Sequence, residues 1–114
     1  MPFTAKTTEA IVIPGDYSVL TRSFRRTLQA GNKSPRTITT YCEAARKFGE
    51  FLHEQGLPTD VANIRREHVE AFIADVLATW KPATAHNRYR SLHSFFNWLT
   101  DPYSVTSAYA LPAP

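Results

Sequence analysis

The chain has 114 residues, a length typical of one domain. Hydrophobic residues make up 43% of it and charged residues 20%, a composition that supports a modest core and excludes an intrinsically disordered chain. No apolar run approaches the roughly 18 residues of a membrane span, and the single cysteine, Cys42, excludes an internal disulfide and suits a reducing compartment. We therefore expect a soluble intracellular protein.

The net charge of +3 is unevenly distributed along the chain. Residues 17–42 carry five basic residues and no acid, residues 76–101 carry three basic residues and one acid, and seven of the ten acids lie in residues 43–75. If the two basic segments meet in the fold, they form a positive face suited to phosphate groups. Small domains often have uneven charge, so charge alone leaves both interpretations open.

Residues 1–15 show no periodicity and contain Pro14-Gly15, so they are interpreted as a flexible leader. Asp16 is a suitable N-cap, and residues at three- and four-residue spacing predict a first helix to about Ala30. Gly31-Asn32 is typical of a helix C-terminus. The spaced residues are Leu20, Phe24, Thr27 and Leu28.

Ser34 and Pro35 predict the start of a second helix, because serine is a good N-cap and proline has no N–H to lose at the first helical position. This helix is predicted to end at Gly56, and Pro58 prevents its resumption. Residues 57–64 form a short connection whose apolar side chains cover an edge of the core. The predicted buried stripe of the helix comprises Ile38, Tyr41, Ala45, Phe48 and Leu52.

A third helix is predicted from about Arg66 to Thr79 and a fourth from about Pro82 to Thr100. Their predicted apolar stripes comprise Val69, Phe72, Ile73, Val76 and Leu77 in the third, and Ala85, Tyr89, Leu92, Phe95, Phe96 and Leu99 in the fourth. Residues 101–114 are interpreted as a tail or a shortened linker. The predicted fold is therefore all-α, a four-helix domain over residues 16–100 with flexible segments at both ends.

The start of the second helix is basic and hydroxyl-bearing, with Lys33, Arg36 and Thr37 around the cap. Unpaired N–H groups and the helix dipole favour an anion such as phosphate at a helix start. Capping alone also explains Ser34, and for that residue capping is the favoured interpretation.

The side of the fourth helix opposite its apolar stripe contains no acid. Arginine and asparagine are the residue types that reach guanine, adenine and phosphate groups, whereas ordinary solvated helix faces usually include Asp or Glu. Nucleic-acid binding is therefore favoured here over plain solvation. The face consists of His86, Asn87, Arg90, His93, Ser94 and Asn97, with Arg88 and Ser91 at its borders.

Other chemistry has weaker support. His86 and His93 are two helical turns apart, whereas zinc-binding pairs on a helix are about three or four residues apart, so we predict no metal site. We also predict no cofactor, since no glycine-rich phosphate loop is present. Cys42 is interpreted as a half-buried, unreactive thiol, and Trp80 and Trp98 as anchors at the edge of the core.

Three stretches, "SPRTITTYCEAARKFGEFLHEQG", "IRREHVEAFIADVL" and "KPATAHNRYRSLHSFFNWL", resemble the N-terminal core-binding (SAM-like) domain of tyrosine recombinases, the phage-integrase family. The resemblance covers about residues 17–100. It is carried by the order and spacing of three motifs, S-x-x-T-x-x-x-Y, V-x-x-F and T-x-x-N-R…L-x-x-F-F-x-W-L. These correspond to Ser34, Thr37 and Tyr41, to Val69 and Phe72, and to Thr84, Asn87, Arg88, Leu92, Phe95, Phe96, Trp98 and Leu99.

The resemblance implies a domain that forms one half of a C-shaped clamp around duplex DNA, with the second and fourth helices facing the major groove. It implies DNA contacts at Lys33, Ser34, Arg36, Thr37, Thr84, His86, Asn87, Arg88, Arg90 and Ser91. Tyr41 lies on the apolar stripe and is expected to pack, with its hydroxyl at the rim. The implied partners are double-stranded DNA and the catalytic domain and neighbouring protomers of a parent recombinase, in the cytoplasm of a bacterial or phage-infected cell.

The sequence departs from the family in three respects. The tail "DPYSVTSAYALPAP" does not resemble the family's usual lead into a catalytic domain. Arg65 stands where the family often caps the third helix with Thr or Ser. The family's catalytic set, an Arg, a His-x-x-Arg pair and a late tyrosine in a further domain, has no counterpart in these 114 residues. Tyr103 and Tyr109 lack activating cations, so neither is predicted to be a nucleophile, and we expect this chain alone not to cut DNA.

Two alternatives to the hypothesis of a core-binding domain remain open. The first is a helical protein-interaction module without its own DNA affinity, which an exposed apolar patch at Trp98, Phe95 and Val105 would support. The second, a helix-turn-helix repressor, has less support because the connection between the second and third helices is too long for that motif's tight turn.

Overall fold

Four α-helices form nearly all of the part that the computed structural model describes, which is residue 13 and residues 15–100. They are α1 (Tyr17–Ala30), α2 (Pro35–Glu54), α3 (Arg66–Thr79) and α4 (Pro82–Thr100), with a 3₁₀ helix (Val61–Asn63) between α2 and α3. The predicted all-α, four-helix fold is confirmed. Most of the predicted leader and all of the predicted tail lie outside the described residues, but Ile13 packs against the core.

Local signals set the start of α2 and the end of α1. The Thr37 N–H donates to the Ser34 side-chain oxygen at 3.1 Å, and Pro35 is the first helical residue, as predicted. At the end of α1, Asn32 has a φ of 57°, so the left-handed position falls on Asn32 and not on Gly31. The Lys33 N–H then donates back to the Leu28 carbonyl at 3.1 Å.

The end of α2 follows the same design with a glycine. Gly56 has a φ of 70°, a left-handed backbone conformation that residues other than Gly and Asn rarely adopt. The Leu57 N–H donates to the Leu52 carbonyl at 2.8 Å and the Gly56 N–H to the His53 carbonyl at 3.2 Å, which is the Schellman pattern. The chain is thereby turned back toward the core that Leu57 helps to cover.

Asp16 occupies the N-cap position of α1 but does not cap it. Its side chain makes no capping bond, and its Oδ1 instead accepts a hydrogen bond from the Val61 N–H at 2.9 Å. The prediction of a side-chain cap is therefore wrong, because a backbone donor from the α2–α3 connection competes for the carboxylate. This bond holds the start of α1 against the 3₁₀ helix, where Val61 and Ile64 pack on the core as expected.

Aromatic side chains occupy the centre of the core. Tyr17 is fully buried, and its hydroxyl donates to the Ala45 carbonyl at 2.6 Å. Its ring meets Phe48 and Phe95 edge-on, with centroid distances of 6.2 and 5.6 Å. These contacts tie α1 to both α2 and α4, so the three helices are held in a defined relative position.

Helix α2 packs extensively on α4 and α1, whereas α3 packs mainly on α4. The predicted apolar stripes include residues that the bundle does not bury, because α3 lies at its edge. Leu77 on α3 is 51% exposed and Tyr89 on α4 is 50% exposed. Trp80 is 61% exposed, so its predicted role as a core anchor is wrong. Trp98 does anchor the core edge, and the centroid of its ring lies 5.3 Å from that of Phe24.

Among the described helices, none has the length and apolar character needed to cross a bilayer.

Candidate nucleic-acid interface

The first turns of α2 and α4 lie side by side and enclose a groove of about 390 Å³, here called the α2/α4 groove. Residues from the two basic segments of the sequence meet in it, as their charge distribution allowed. Its lining consists of Arg36, Thr37, Thr40, Tyr41, Ala83, His86, Asn87, Arg90 and Ser91. Six of these nine residues are among the DNA contacts that the family resemblance implied: Arg36, Thr37, His86, Asn87, Arg90 and Ser91.

The positive charge of the α2/α4 groove is not compensated. None of its lining residues is acidic, and within residues 15–100 neither Arg36 nor Arg90 has a carboxylate within 4.0 Å. The ion pairs found in that part of the chain join Arg46 to Glu50 at 2.7 Å and to Glu43 at 3.8 Å, on α2. A phosphate entering the groove would therefore meet two arginines without displacing a carboxylate.

A smaller groove of about 210 Å³ adjoins the first and holds the remaining predicted residues of α4. It is lined by Thr84 and Arg88, together with Thr40 and Asn87, which also line the larger groove. Its fifth lining residue is Glu43, whose carboxylate repels phosphate. The acid-free surface therefore ends at Glu43, and Arg88 stands at its border.

Backbone donors at the start of α2 contribute less to anion binding than the sequence indicated. Pro35 has no N–H, the Thr37 N–H is bonded to the Ser34 side chain, and the Ile38 N–H donates to the Ser34 carbonyl. Among the described residues this leaves the Arg36 N–H as the unpaired donor of the first turn. Attraction of an anion at this end must come chiefly from side chains.

Ser34 acts as a cap, and its hydroxyl also donates to the Thr37 Oγ1 at 3.0 Å. That bond leaves the Thr37 hydroxyl proton available to an acceptor in the groove. Lys33 precedes the cap, is half-buried and lines neither groove. The geometry thus favours Arg36 and Thr37 over Ser34 and Lys33 as contact residues on α2.

Ser91 differs from its neighbours because it is only 1% exposed. The sequence placed it at the border of the exposed face, but it lies at the floor of the groove between the buried Leu92 and the surface residue Arg90. Its Oγ donates to the Asn87 Oδ1 at 3.4 Å. Because Ser91 is buried, we assign it the role of supporting the Asn87 amide and not that of contacting a large ligand.

The aromatic residue Tyr41 and the hydroxyl residue Thr40 complete the α2 wall of the groove. The Tyr41 ring stacks on that of Phe24, with centroids 6.5 Å apart and planes 3° from parallel, and its exposed part lines the groove, in keeping with the predicted packed position. Thr40 was not singled out from the sequence although it lines both grooves. Its position one helical turn after Arg36 was the signal that could have identified it.

The other sequence interpretations concern residues away from the grooves. Cys42 is half-buried, and burial raises the pKa of its thiol, an effect that the nearby Arg25 partly opposes. Phe95 is fully buried and Trp98 packs inward, so these two residues do not form the exposed patch that an interaction module would use; Val105 lies outside the described residues. Residues 15–100 contain no cluster of three or more potential metal ligands.

Comparison with known proteins gives two matches. The family model described as "Phage integrase, N-terminal SAM-like domain" matches residues 20–104. Among curated proteins, the "Regulator of sigma S factor FliZ" of Escherichia coli (strain K12) is 35% identical over 57 residues, a segment that covers 50% of this chain and 28% of FliZ. No solved structure gives a significant match.

Proposed function

This chain belongs to the phage integrase N-terminal SAM-like domain family, and on that premise we propose that it is a module that binds duplex DNA through the α2/α4 groove. The observation that carries the proposal is the acid-free lining, with Arg36 on one wall and Arg90 on the other, both without a carboxylate partner in the described part of the chain. Uncompensated arginines on two adjacent helices suit the phosphate backbone.

The two walls suggest a division of tasks. A helix fits the major groove of B-DNA, which is about 12 Å wide, and α4 presents His86 and Asn87 at its exposed first turns. We assign base-edge contacts to these two residues and phosphate contacts to Arg36, Arg90 and Arg88. Thr37, Thr84 and Lys33 supply further contacts at the margins, and Ser34 and Ser91 act through capping and support.

In its cellular setting we propose that the module is the core-binding part of a site-specific tyrosine recombinase in the bacterial cytoplasm. Double-stranded DNA, a catalytic domain and neighbouring protomers are its partners. The family's core-binding domain is half of a clamp, so the module alone should bind weakly. The chemistry of strand cleavage would come from the catalytic domain.

The partial match to FliZ favours a second candidate, a regulator that uses the same fold without recombination, because FliZ is named as a regulator of sigma S factor. The two candidates differ in what the complete reading frame encodes. A His-x-x-Arg pair and a late tyrosine beyond residue 114 favour the recombinase, and their absence favours the regulator.

The test is the salt dependence of binding to a fluorescent duplex, followed by anisotropy. If about five phosphates are contacted, the slope of log K against log salt is roughly −4 to −5. Arg36→Ala, Arg88→Ala and Arg90→Ala should each flatten that slope by about 1. Arg22→Ala is the matched control, because Arg22 is exposed, makes no described ion pair and lines neither groove. Binding that ignores salt, or an equal effect of Arg22→Ala, would contradict the proposal.

A further inference from the structure

A second large groove lies between the start of α3 and the middle of α4, and DNA binding at the α2/α4 groove does not explain it. This α3/α4 groove has a volume of about 350 Å³. Ile64, Val69 and Phe96 form its apolar part, and Arg65, Arg66 and His93 are the basic residues that line it. We propose that it docks an acidic, amphipathic segment of a second protein.

The apolar part of the groove is already formed in the folded domain. Ile64, Val69 and Phe96 are half-buried and pack against the hydrophobic core, so their exposed surfaces are fixed in place. Tyr89, half-exposed, adds an aromatic side chain that also lines the groove. A preformed concave site of this volume accommodates one or two large apolar side chains, the usual anchors of a protein interface.

The charge at the groove selects the chemistry of the occupant. Arg65 and Arg66 are exposed, and within the described residues neither has a carboxylate within 4.0 Å. They stand at the first turn of α3, where the helix dipole is also positive. A guanidinium binds a carboxylate through two parallel hydrogen bonds, so aspartate or glutamate side chains flanking an apolar anchor match this surface.

Arg65 does not stabilise the start of α3 through its side chain, which indicates that this residue has another role. It occupies the N-cap position of α3, but a guanidinium has no acceptor for the free N–H groups of the first turn. Only the reverse bond is made, from the Arg65 N–H to the His68 Nδ1 at 2.9 Å. The position thus forgoes a capping bond and places a positive charge at the edge of an apolar groove.

Two other occupants fit less well. The sugar-phosphate backbone of DNA would satisfy the arginines but would leave Val69 and Phe96 facing a polar, charged surface. A second copy of this chain could offer its exposed Leu77 and Trp80 as anchors. Lys81 follows Trp80 directly, however, and would be brought against the two arginines. An acidic partner satisfies both the apolar and the charged parts of the groove.

The experiment is selection of peptides of about twelve residues from a displayed random library on the full chain. The expected sequences combine Leu, Phe or Trp with flanking Asp or Glu. For one labelled selected peptide, the double variant Arg65→Gln/Arg66→Gln should weaken binding at least about tenfold. The control Arg46→Gln/Lys47→Gln removes the same charge from exposed positions of α2 outside the grooves and should change it less than about twofold.

Methyl NMR spectra locate the peptide independently of the variants. Peptide should shift the methyl signals of Ile64, Val69 and Leu92, whereas duplex DNA should shift those of Thr37 and Ala83. Failure of DNA binding would leave this result intact, so the two proposals are tested separately.

Each of three outcomes would overturn the inference. The first is that the selected peptides show no enrichment of acids, or that they bind the Arg65→Gln/Arg66→Gln variant as well as the unchanged chain. The second is that duplex DNA displaces the peptide and the same variant flattens the salt slope of DNA binding, which would make the groove part of the DNA surface. The third is that the chain dimerises in sedimentation and the variant separates the dimer, which would make a second copy the occupant.

Discussion

Charge compensation divides the arginines of this domain into two kinds. Arg46 lies between Glu43 and Glu50 on α2, whereas Arg36 and Arg90 face each other across the α2/α4 groove without a described carboxylate partner. Exposed ion pairs such as those of Arg46 contribute little to stability. The other arginines of residues 15–100 also lack a carboxylate within 4.0 Å, so the assignment of Arg36 and Arg90 to ligand binding rests on their shared position in the acid-free groove.

Glu43 limits the positive surface, and its removal should strengthen DNA binding. Glu43 lines the smaller groove beside Arg88 and would face the phosphate backbone. We predict that Glu43→Gln tightens binding about threefold at low salt, the size of one screened repulsion over several ångströms. Glu54→Gln, an exposed acid at the far end of α2, should leave the affinity unchanged. Titration by anisotropy at two salt concentrations measures both; weaker binding of Glu43→Gln would contradict the assignment.

Tyr17 links stability to alkaline pH. Burial raises the pKa of its phenol far above the usual range, while the unfolded phenol ionises near pH 10. Above that pH the folded state binds more protons than the unfolded state, so the free energy of unfolding falls as pH rises, by about 1.4 kcal/mol per pH unit. Below pH 10 this residue contributes no pH dependence.

Tyr17→Phe should abolish that part of the slope. The variant also loses the hydrogen bond to the Ala45 carbonyl, a loss of about 1 kcal/mol at pH 7. Guanidinium unfolding between about pH 8 and 12, followed by tryptophan fluorescence, compares the two proteins. Since the two proteins differ only at this residue, the difference isolates Tyr17; parallel curves would refute the linkage.

At the scale of the helices, Ser34 and Arg36 separate capping from binding. Ser34 accepts the Thr37 N–H, so Ser34→Ala should lower the free energy of unfolding by about 1 kcal/mol and leave the salt slope of DNA binding unchanged. Arg36→Ala should leave the free energy of unfolding unchanged, since Arg36 is exposed and makes no described ion pair, and should flatten the salt slope. Urea unfolding and anisotropy on the same two variants check both halves. A flatter salt slope for Ser34→Ala would place its hydroxyl in contact with DNA.

Helix α3 can be stabilised at its start, at the expense of the proposed peptide site. Arg65→Ser supplies the missing side-chain acceptor and should raise the free energy of unfolding by about 1 kcal/mol. Arg66→Ser lies one residue inside the helix, cannot cap it, and should give no such gain. Urea midpoints distinguish the two variants. An unchanged midpoint for Arg65→Ser would show that the His68 bond already satisfies this end of the helix.

Helix ends were predictable because their signals are local. Ser34-Pro35 and the turn at Gly56 act within a few residues of themselves, and the structure has them where the sequence predicts. Asp16 shows the limit of such signals, because its partner Val61 is distant in sequence. A capping residue is predicted well only when no long-range donor competes for it.

Buried faces were less predictable, because they depend on where each helix sits in the bundle. Helix α3 lies at the edge, so its fully buried residues are only Phe72 and Val76, and Leu77 is left exposed. Ser91 is polar and yet buried, since it lies at the floor between two closely packed helices. The α3/α4 groove likewise depends on which turn of α4 meets the start of α3, and the spacing of residues does not specify that.

In the molecule as a whole, α4 borders both grooves. Its first turns line the α2/α4 groove and its middle lines the α3/α4 groove, along a helix about 28 Å long. One acid-free and polar surface and one apolar surface with basic residues therefore share a single rigid element. This arrangement would allow the domain to hold DNA and a protein partner at the same time.

An amide NMR titration with a duplex of about 20 base pairs tests directly whether duplex DNA occupies the α2/α4 groove. NMR suits the weak binding expected of half a clamp. We predict that the largest shifts fall on Arg36, Thr37, Ala83, Asn87 and Arg90 and are reversed by added salt. Shifts confined to α3 and the C-terminal half of α2, with the first turns of α2 and α4 unaffected, would contradict it.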